Sequence, residues 1–237
     1  MSTADEVAAI ANGIEGWLSE RQGRALFAAA ANTRGRGAVV EIGSWKGRST
    51  VWLGCGVRAR GGKVYAIDPH RKSNEDPRAE TFEAFMANMD RVGLADVIEP
   101  VVTTSAQAAG IITGEVELLF VDGDHTLAGA RQDAEIWLPR LMVGATVMFH
   151  DVATSGYSGP RRVFQRRICR SPGFHRIRRV GSMAIAERTA ARSRLETLRA
   201  RSFDLRLYFY DVEGAIKRTL RRVRRLRAHR AVVSWVP

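Results

Sequence analysis

The apolar positions of this chain change period twice. Val7, Ile10, Ile14, Trp17 and Leu18 recur three and four apart, which predicts an amphipathic helix. A second helix is expected over about 20–32, ending near NTRGRG. Shorter runs then take over. AVVEIG (38–43), KVYAID (63–68), VIEPVV (97–102), VELLFVD (116–122) and ATVMFHD (145–151) read as buried strands. Helix-like segments separate them at about 49–58, 78–91, 104–110 and 127–141. Strands that alternate with helices build βαβ units, so the core is an α/β fold with a mostly parallel sheet. A Gly/Ser/Pro loop (154–160) and a basic helix follow, then strand candidates at 174–180 and 182–187 that read as a closing antiparallel pair. Beyond 189 the chain is polar and rich in arginine. FDLRLYFY (203–210) alternates as a strand does. Val212, Ile216, Leu220, Val223 and Leu226 recur at helical spacing and predict a basic amphipathic helix over 211–230. The expected organisation is an N-terminal helical cap (1–36), an α/β domain (37–188) and a basic helical C-terminal extension (189–237).

Composition narrows the picture. At 237 residues and 45% hydrophobic content, the chain has material for one substantial core. No uninterrupted apolar stretch approaches the ~18–20 residues that span a bilayer. The opening MSTADEVAAI lacks the basic and apolar regions of a secretory signal, and a cytoplasmic location is expected. Cys55 and Cys169 are the only cysteines, which leaves no disulfide framework and no CxxC pair. The formal charge of +12 is nearly all arginine, concentrated in RRVFQRRICR (161–170) and KRTLRRVRRLRAHR (217–230). Such blocks bind phosphate, nucleic acid or anionic lipid, or form a solvated basic face. The apolar stripe within the second block reads as a contact with the domain, with a homodimer partner, or peripherally with a membrane.

In an open parallel sheet, ligands gather at the carboxyl ends of the strands. The first strand ends in EIGSWKGRS, with Glu41, Gly43, Ser44, Gly47 and Ser49. Its glycines permit a tight turn, but their spacing is not the GxGxxG of a dinucleotide site, and a pyrophosphate would be repelled by Glu41. A ligand with a cationic centre and no phosphate fits better. Asp68, at the tip of the second strand, is placed to accept from ribose hydroxyls, the alternative being a capping or solvated acid. Ser105 is read as a contact to an adenine edge or as a helix cap. Adenosine without phosphates, beside a carboxylate, points to S-adenosylmethionine (SAM).

In order along the chain, VVEIGSWKGRST, VYAIDPH, LLFVDGDH and VMFHDV resemble the motifs of class I SAM-dependent methyltransferases. More narrowly, the chain resembles the bacterial divalent-metal-dependent O-methyltransferases related to catechol O-methyltransferase and to sugar O-methyltransferases, over about 12–187. The resemblance implies a Rossmann-like seven-stranded sheet whose last strand is antiparallel. It also implies cofactor binding by Glu41, Gly43, Ser44, Gly47 and Ser49, with Asp68 on the ribose, Ser105 near the adenine and Asp122 near the methionine end.

Asp122, Asp124, His125, His150 and Asp151 are expected to converge where the fourth and fifth strands end side by side. Clustered carboxylates repel one another, and a divalent cation compensates them. Oxygen donors suit Mg2+, with Mn2+ as the alternative. The resemblance implies Asp122, His150 and Asp151 as metal ligands. The chain departs from the catechol enzyme in two places: His150 replaces a carboxylate, and His125 stands where that enzyme has its lysine base. Imidazole binds Mg2+ poorly but is an apt base near neutral pH, so His150 or His125 takes the acceptor's proton beside Asp122. A metal-held nucleophile favours oxygen over nitrogen, and the expected reaction is O-methylation. Sugar O-methyltransferases share the His–Asp ending, so the expected acceptor is a hydroxyl of a saccharide or glycosylated metabolite. The arginine-rich composition directs that expectation to mycobacterial enzymes of methylated-mannose polysaccharide synthesis. The alternatives are an RNA methyltransferase using the basic C-terminal segment and a phenol or catechol O-methyltransferase. Nucleic acid is set aside because no RNA-binding module is appended and base methylation needs no cation cluster. Tyr157 and Arg161 are expected to touch the acceptor, and Trp17 to be a lid or core residue.

Overall fold

The computed structural model describes residues 3–58, 60–71 and 81–233; in the last helix, side chains are described to Leu220, apart from Arg218. Two helices open the chain, α1 (Ala4–Asn12) and α2 (Glu20–Ala31). Five strands follow, each preceding a helix: β1 (Ala38–Ile42), α3 (Arg48–Arg58), β2 (Val64–Ile67), α4 (Phe82–Arg91), β3 (Ile98–Val101), α5 (Ser105–Ile111), β4 (Val116–Val121), α6 (Leu127–Trp137), β5 (Leu141–Phe149) and α7 (Gly159–Phe164). The hairpin β6 (Phe174–Val180) and β7 (Met183–Arg188) leads into the long α8 (Arg194–Val233). The strands form one seven-stranded sheet in the order β3-β2-β1-β4-β5-β7-β6, parallel from β3 to β5, with β7 antiparallel to both neighbours. This is the Rossmann-like architecture expected from the sequence.

Strand alternation divides the core in two. Val40, Ile42, Leu119, Val121, Val147 and Phe149 pack with α5, α6 and α7 on one face. Val39, Leu118, Phe120 and Met148 pack with α1, α2 and α3 on the other. Successive residues of a strand point to opposite faces, so a strand covered on both faces reads as a continuous apolar run. β4 is buried at every position. The N-terminal helices share the core with Trp52 and Leu53 of α3, so the expected cap is one side of the sandwich.

Three expectations are corrected. The helical spacing through Leu18 overruns α1, which stops at Gly13; Ile14 and Leu18 are buried from the connection instead, and Trp17 is 77% exposed. FDLRLYFY is helical, inside α8; its apparent alternation comes from burying Phe203 and Leu207 toward the domain while Leu205, Tyr208 and Phe209 face outward. The fifth strand begins at Leu141 rather than Ala145, because a 3-10 turn at Leu138–Arg140 ends the preceding helix early. Of the helix expected over 78–91, residues 78–80 lie outside the described residues.

Order in the sheet reverses between β1 and β4, the place where an open α/β sheet binds ligands at the carboxyl ends of its strands. Gly43 governs how closely those ends approach. Its φ is +88°, and a Cβ there would stand 2.2 Å from the Asp122 carbonyl oxygen. Gly43→Ala is therefore expected to lower stability by about 1–3 kcal/mol or more, read as a drop in urea midpoint. An unchanged midpoint would mean that the two strand ends separate freely.

Candidate active site

The turn after β1 is built around buried polar groups. Glu41 is fully buried and accepts hydrogen bonds from Ser49 Oγ (2.6 Å) and Thr50 Oγ1 (2.5 Å) in the first turn of α3. It therefore ties β1 to α3 and lies beneath the cleft surface. Ser49 is committed to the same contact. Ser44 Oγ is buried and has no hydrogen-bond partner among the described residues, beside the glycine turn. Asp68 accepts from the Trp45 backbone N–H (2.8 Å) on one oxygen and from that of His70 (2.7 Å) on the other. Trp45 and His70 both have positive φ, 44° and 47°, and Asp68 holds the two strained residues in place. Gly47 also has positive φ, and a Cβ there would press on Met89. Trp17 lies over Trp45, with ring centroids 4.7 Å apart. The cap of α5 falls to Thr104, while the Ser105 hydroxyl donates to the buried Asp133, whose pKa burial raises to about 6.

At the ends of β4 and β5 the acids and imidazoles meet. Asp122 Oδ1 lies 3.1 Å from His150 Nδ1 and 3.6 Å from His125 Nε2. Asp151 Oδ2 lies 3.3 Å from His125 Nε2 and 3.4 Å from His150 Nδ1. Asp151 takes a left-handed backbone, φ 51°, which turns its carboxylate back toward Asp122. Burial would raise its pKa, but His125 and His150 hold it well below the usual carboxylate range. Ligand atoms of Asp122, His125 and Asp151 all lie within 4.8 Å of one another, a donor set for one cation.

His150 is only 5% exposed, and its second nitrogen is engaged elsewhere. The Gln22 amide nitrogen lies 3.1 Å from His150 Nε2 and donates to Ser182 Oγ at 2.9 Å. Its amide orientation is fixed, because Gln22 Oε1 accepts from the Ser19 N–H (2.9 Å) and Oγ (2.7 Å) in the capping box of α2. An amide NH2 only donates, so in the neutral imidazole the lone pair of His150 lies on Nε2 and its proton on Nδ1, facing both carboxylates; the charged form carries a proton on each nitrogen and forfeits the bond from Gln22. A protonated Nδ1 does not ligate a cation. His125 Nε2 stands with Asp122 and Asp151 at the converging point, and His150 lies behind them. Burial opposes a charge on His150, yet Asp122 and Asp151 outweigh it and raise its pKa to about 10. That pull lasts only while the two carboxylates are uncompensated.

The remaining expected residues lie elsewhere. Asp124 is exposed and accepts from Thr126 N (2.8 Å) and Oγ1 (2.9 Å), turning away from the cluster to shape the start of α6. Tyr157 stacks on His125, with centroids 4.2 Å apart and planes 19° apart, so it covers the cluster. Arg161, expected to touch the acceptor, is 1% exposed. It donates to the Thr154 carbonyl, to the Tyr157 carbonyl (3.0 Å) and to Asp211 of α8 (2.6 Å), which fastens the 151–158 loop from behind. Gln22 and Asp133 were not anticipated. The Ser19-x-x-Gln22 spacing signals a helix start, which explains Gln22 locally and hides its reach to a residue 128 positions away.

Residues 40–152 match the model of a methyltransferase domain. Among solved structures, cofactor-bound Rv0187 from MTB is 23% identical over 78% of this chain and 87% of its own, with a TM-score of 0.59. An O-methyltransferase from Bacillus cereus in complex with SAH is 22% identical over 78% and 89%, with a TM-score of 0.59. The O-methyltransferase TomG from Streptomyces achromogenes, involved in tomaymycin synthesis and in complex with SAM, is 20% identical over 79% and 89%, with a TM-score of 0.57. At these identities the likeness is one of fold.

Two measurements probe the buried groups. Burial raises the Glu41 pKa from 4.5 to about 8, against the hydrogen bonds from Ser49 and Thr50. Between those values the unfolded chain is ionised there and the folded protein is not, so this contribution to stability falls as pH rises through that window. Glu41→Gln is expected to be more resistant to urea than wild type at pH 8 and to converge with it toward pH 4.5. Parallel stability curves would show Glu41 ionised in both states. Gln22→Glu keeps the capping box but presents a carboxylate oxygen to His150 Nε2. With a divalent cation added to both proteins, nitrogen-detected NMR is expected to show both ring nitrogens of His150 protonated in that variant and an Nδ1–H tautomer in wild type. An unaltered ring spectrum would remove Gln22 from the network.

Proposed function

We propose that this chain is a SAM-dependent O-methyltransferase that uses a divalent cation, Mg2+ or Mn2+, and methylates a saccharide hydroxyl. One observation carries the reading: the glycine turn after β1 and the acid–imidazole cluster after β4 and β5 are side by side at the carboxyl end of the sheet, with Gly43 against Asp122. The match of residues 40–152 to a methyltransferase domain supports it, as do structural neighbours solved with SAM or SAH. Ser44 Oγ, without a partner among the described residues, suits the polar end of the donor, and the Asp68 carboxylate suits its ribose. When bound, the donor supplies an electrophilic methyl group and the cation lowers the pKa of the acceptor hydroxyl.

The chain's own residues divide the remaining work. Asp122 and Asp151 would hold the cation, and both are aimed by the Nδ1–H of His150. Gln22 keeps that proton on Nδ1, so His150 positions the acids and His125 is left as the imidazole that faces the cleft. With the cation on the two acids, His125 Nε2 would stay unligated and would accept the proton of the acceptor hydroxyl. Tyr157 screens His125 from water. The His–Asp ending of β5 favours a saccharide acceptor, a methylated-mannose precursor among them.

The deciding assay is SAM consumption against a panel of glycosides, mannosides included, and catechols, with EDTA and Mg2+ add-back. Turnover is expected on a glycoside, to vanish with EDTA and to return with Mg2+. Asp122→Ala and Asp151→Ala are each expected to lower it by ~100-fold or more with the circular dichroism spectrum intact. Activity that persists in EDTA would overturn the cation's role, and turnover on catechols alone would overturn the saccharide.

A further inference from the structure

α8 presents two opposite faces. Ala200, Phe203, Leu207 and Gly214 turn toward the domain. On the far side Leu198, Leu205, Phe209, Val212, Ile216 and Leu220 form a helical stripe, each between 41% and 71% exposed. Beside the stripe runs a groove of about 460 Å³ in which Arg162, Arg166 and the Asp204-paired Arg170 stand next to Tyr208, Val212 and Ala215, with Asp211, the partner of Arg161, at its edge. A contiguous apolar surface of this kind marks an interaction site, and the arginines set the sign of its partner.

Charge selects among occupants. Residues 217–230 hold Lys217 and seven arginines and no acid. The acids of α8 are Glu196, Asp204, Asp211 and Glu213, and each is already paired within the chain, with Arg199, Arg170, Arg161 and Lys217. A second copy of the helix would bring like charge and no spare anion. A nucleic acid would meet the arginines but leave Leu205, Phe209 and Ile216 in water. A surface of anionic headgroups over acyl chains satisfies both features at once. No described helix is long and apolar enough to cross a membrane, so the contact is one of lying on a surface.

We infer that α8 and its flanking groove dock this protein on an anionic phospholipid bilayer, with the stripe at the acyl boundary and phosphates in the arginine groove. The placement has a bearing on the cleft. Asp211 holds Arg161 and Lys217 donates to Ser155 Oγ (3.0 Å), so the docking helix is bolted to the loop that covers His125. The bilayer would then lie beside the mouth through which an acceptor enters.

The test is flotation of the full chain with phosphatidylcholine vesicles, with and without phosphatidylglycerol, over a salt series. Binding is expected only with phosphatidylglycerol and to weaken as salt rises. Phe209→Glu combined with Ile216→Glu, both exposed positions, is expected to weaken it by ~10-fold or more with thermal melting unchanged. Absence of flotation would overturn the inference. Equal binding by the double variant would also overturn it, since charge alone would then suffice, as it would for RNA. A dimer in sedimentation that the double variant dissociates, without vesicle binding, would place a second copy on the stripe instead. None of these readouts depends on methyl transfer, so their failure leaves the proposed activity standing.

Discussion

Two carboxylates at the ends of neighbouring strands repel each other, and the surrounding structure is arranged around that repulsion. Asp122 and Asp151 are held toward one point by a single buried N–H from His150, by the left-handed backbone at Asp151 and by the closeness that Gly43 permits between β1 and β4. Each of these is costly in isolation: a buried imidazole, a strained residue, a position closed to any side chain. They persist because each is held by a second element. α2 fixes the histidine through Gln22, the sheet fixes the strand ends, and the 151–158 loop closes over the top. An arrangement with this much stored constraint is more readily explained by a ligand than by stability.

The sheet was legible in the sequence because its strands are covered on both faces. AVVEI and VELLF are enclosed on both faces, their glutamates included, and the helices between them carry the complementary periodicity. The strand ends were legible for a related reason. Acids and histidines directly after an apolar run have nowhere to go except the rim of the sheet, so their convergence follows from topology. Asp124 shows where that inference stops. It shares the sequence neighbourhood of Asp122 but has Thr126 two residues on, and a local turn claimed it.

What the sequence did not disclose depends on contacts between distant elements. Gln22 and His150 are joined only when α2 lies on the sheet, and nothing in either neighbourhood announces the other. Arg161 looked like a cleft residue because its loop overhangs the cleft, and only the presence of α8 behind the loop turns it inward. The misreading of FDLRLYFY has the same origin. A helix with one face on the domain and another facing outward shows apolar residues at both odd and even positions, and in a short window this imitates a strand.

The inward turn of Arg161 makes the C-terminal extension structurally costly to remove. Its guanidinium is almost wholly enclosed, and Asp211 is its carboxylate partner. A chain cut short before Asp211 would keep an enclosed cation without its counter-ion, a defect of about 3–5 kcal/mol. The relief available to it is for the 151–158 loop to open and let water in. Shortening the tail to improve handling would therefore disturb the cleft some distance away, and a loss of function in such a fragment would say little about whether the tail itself takes part.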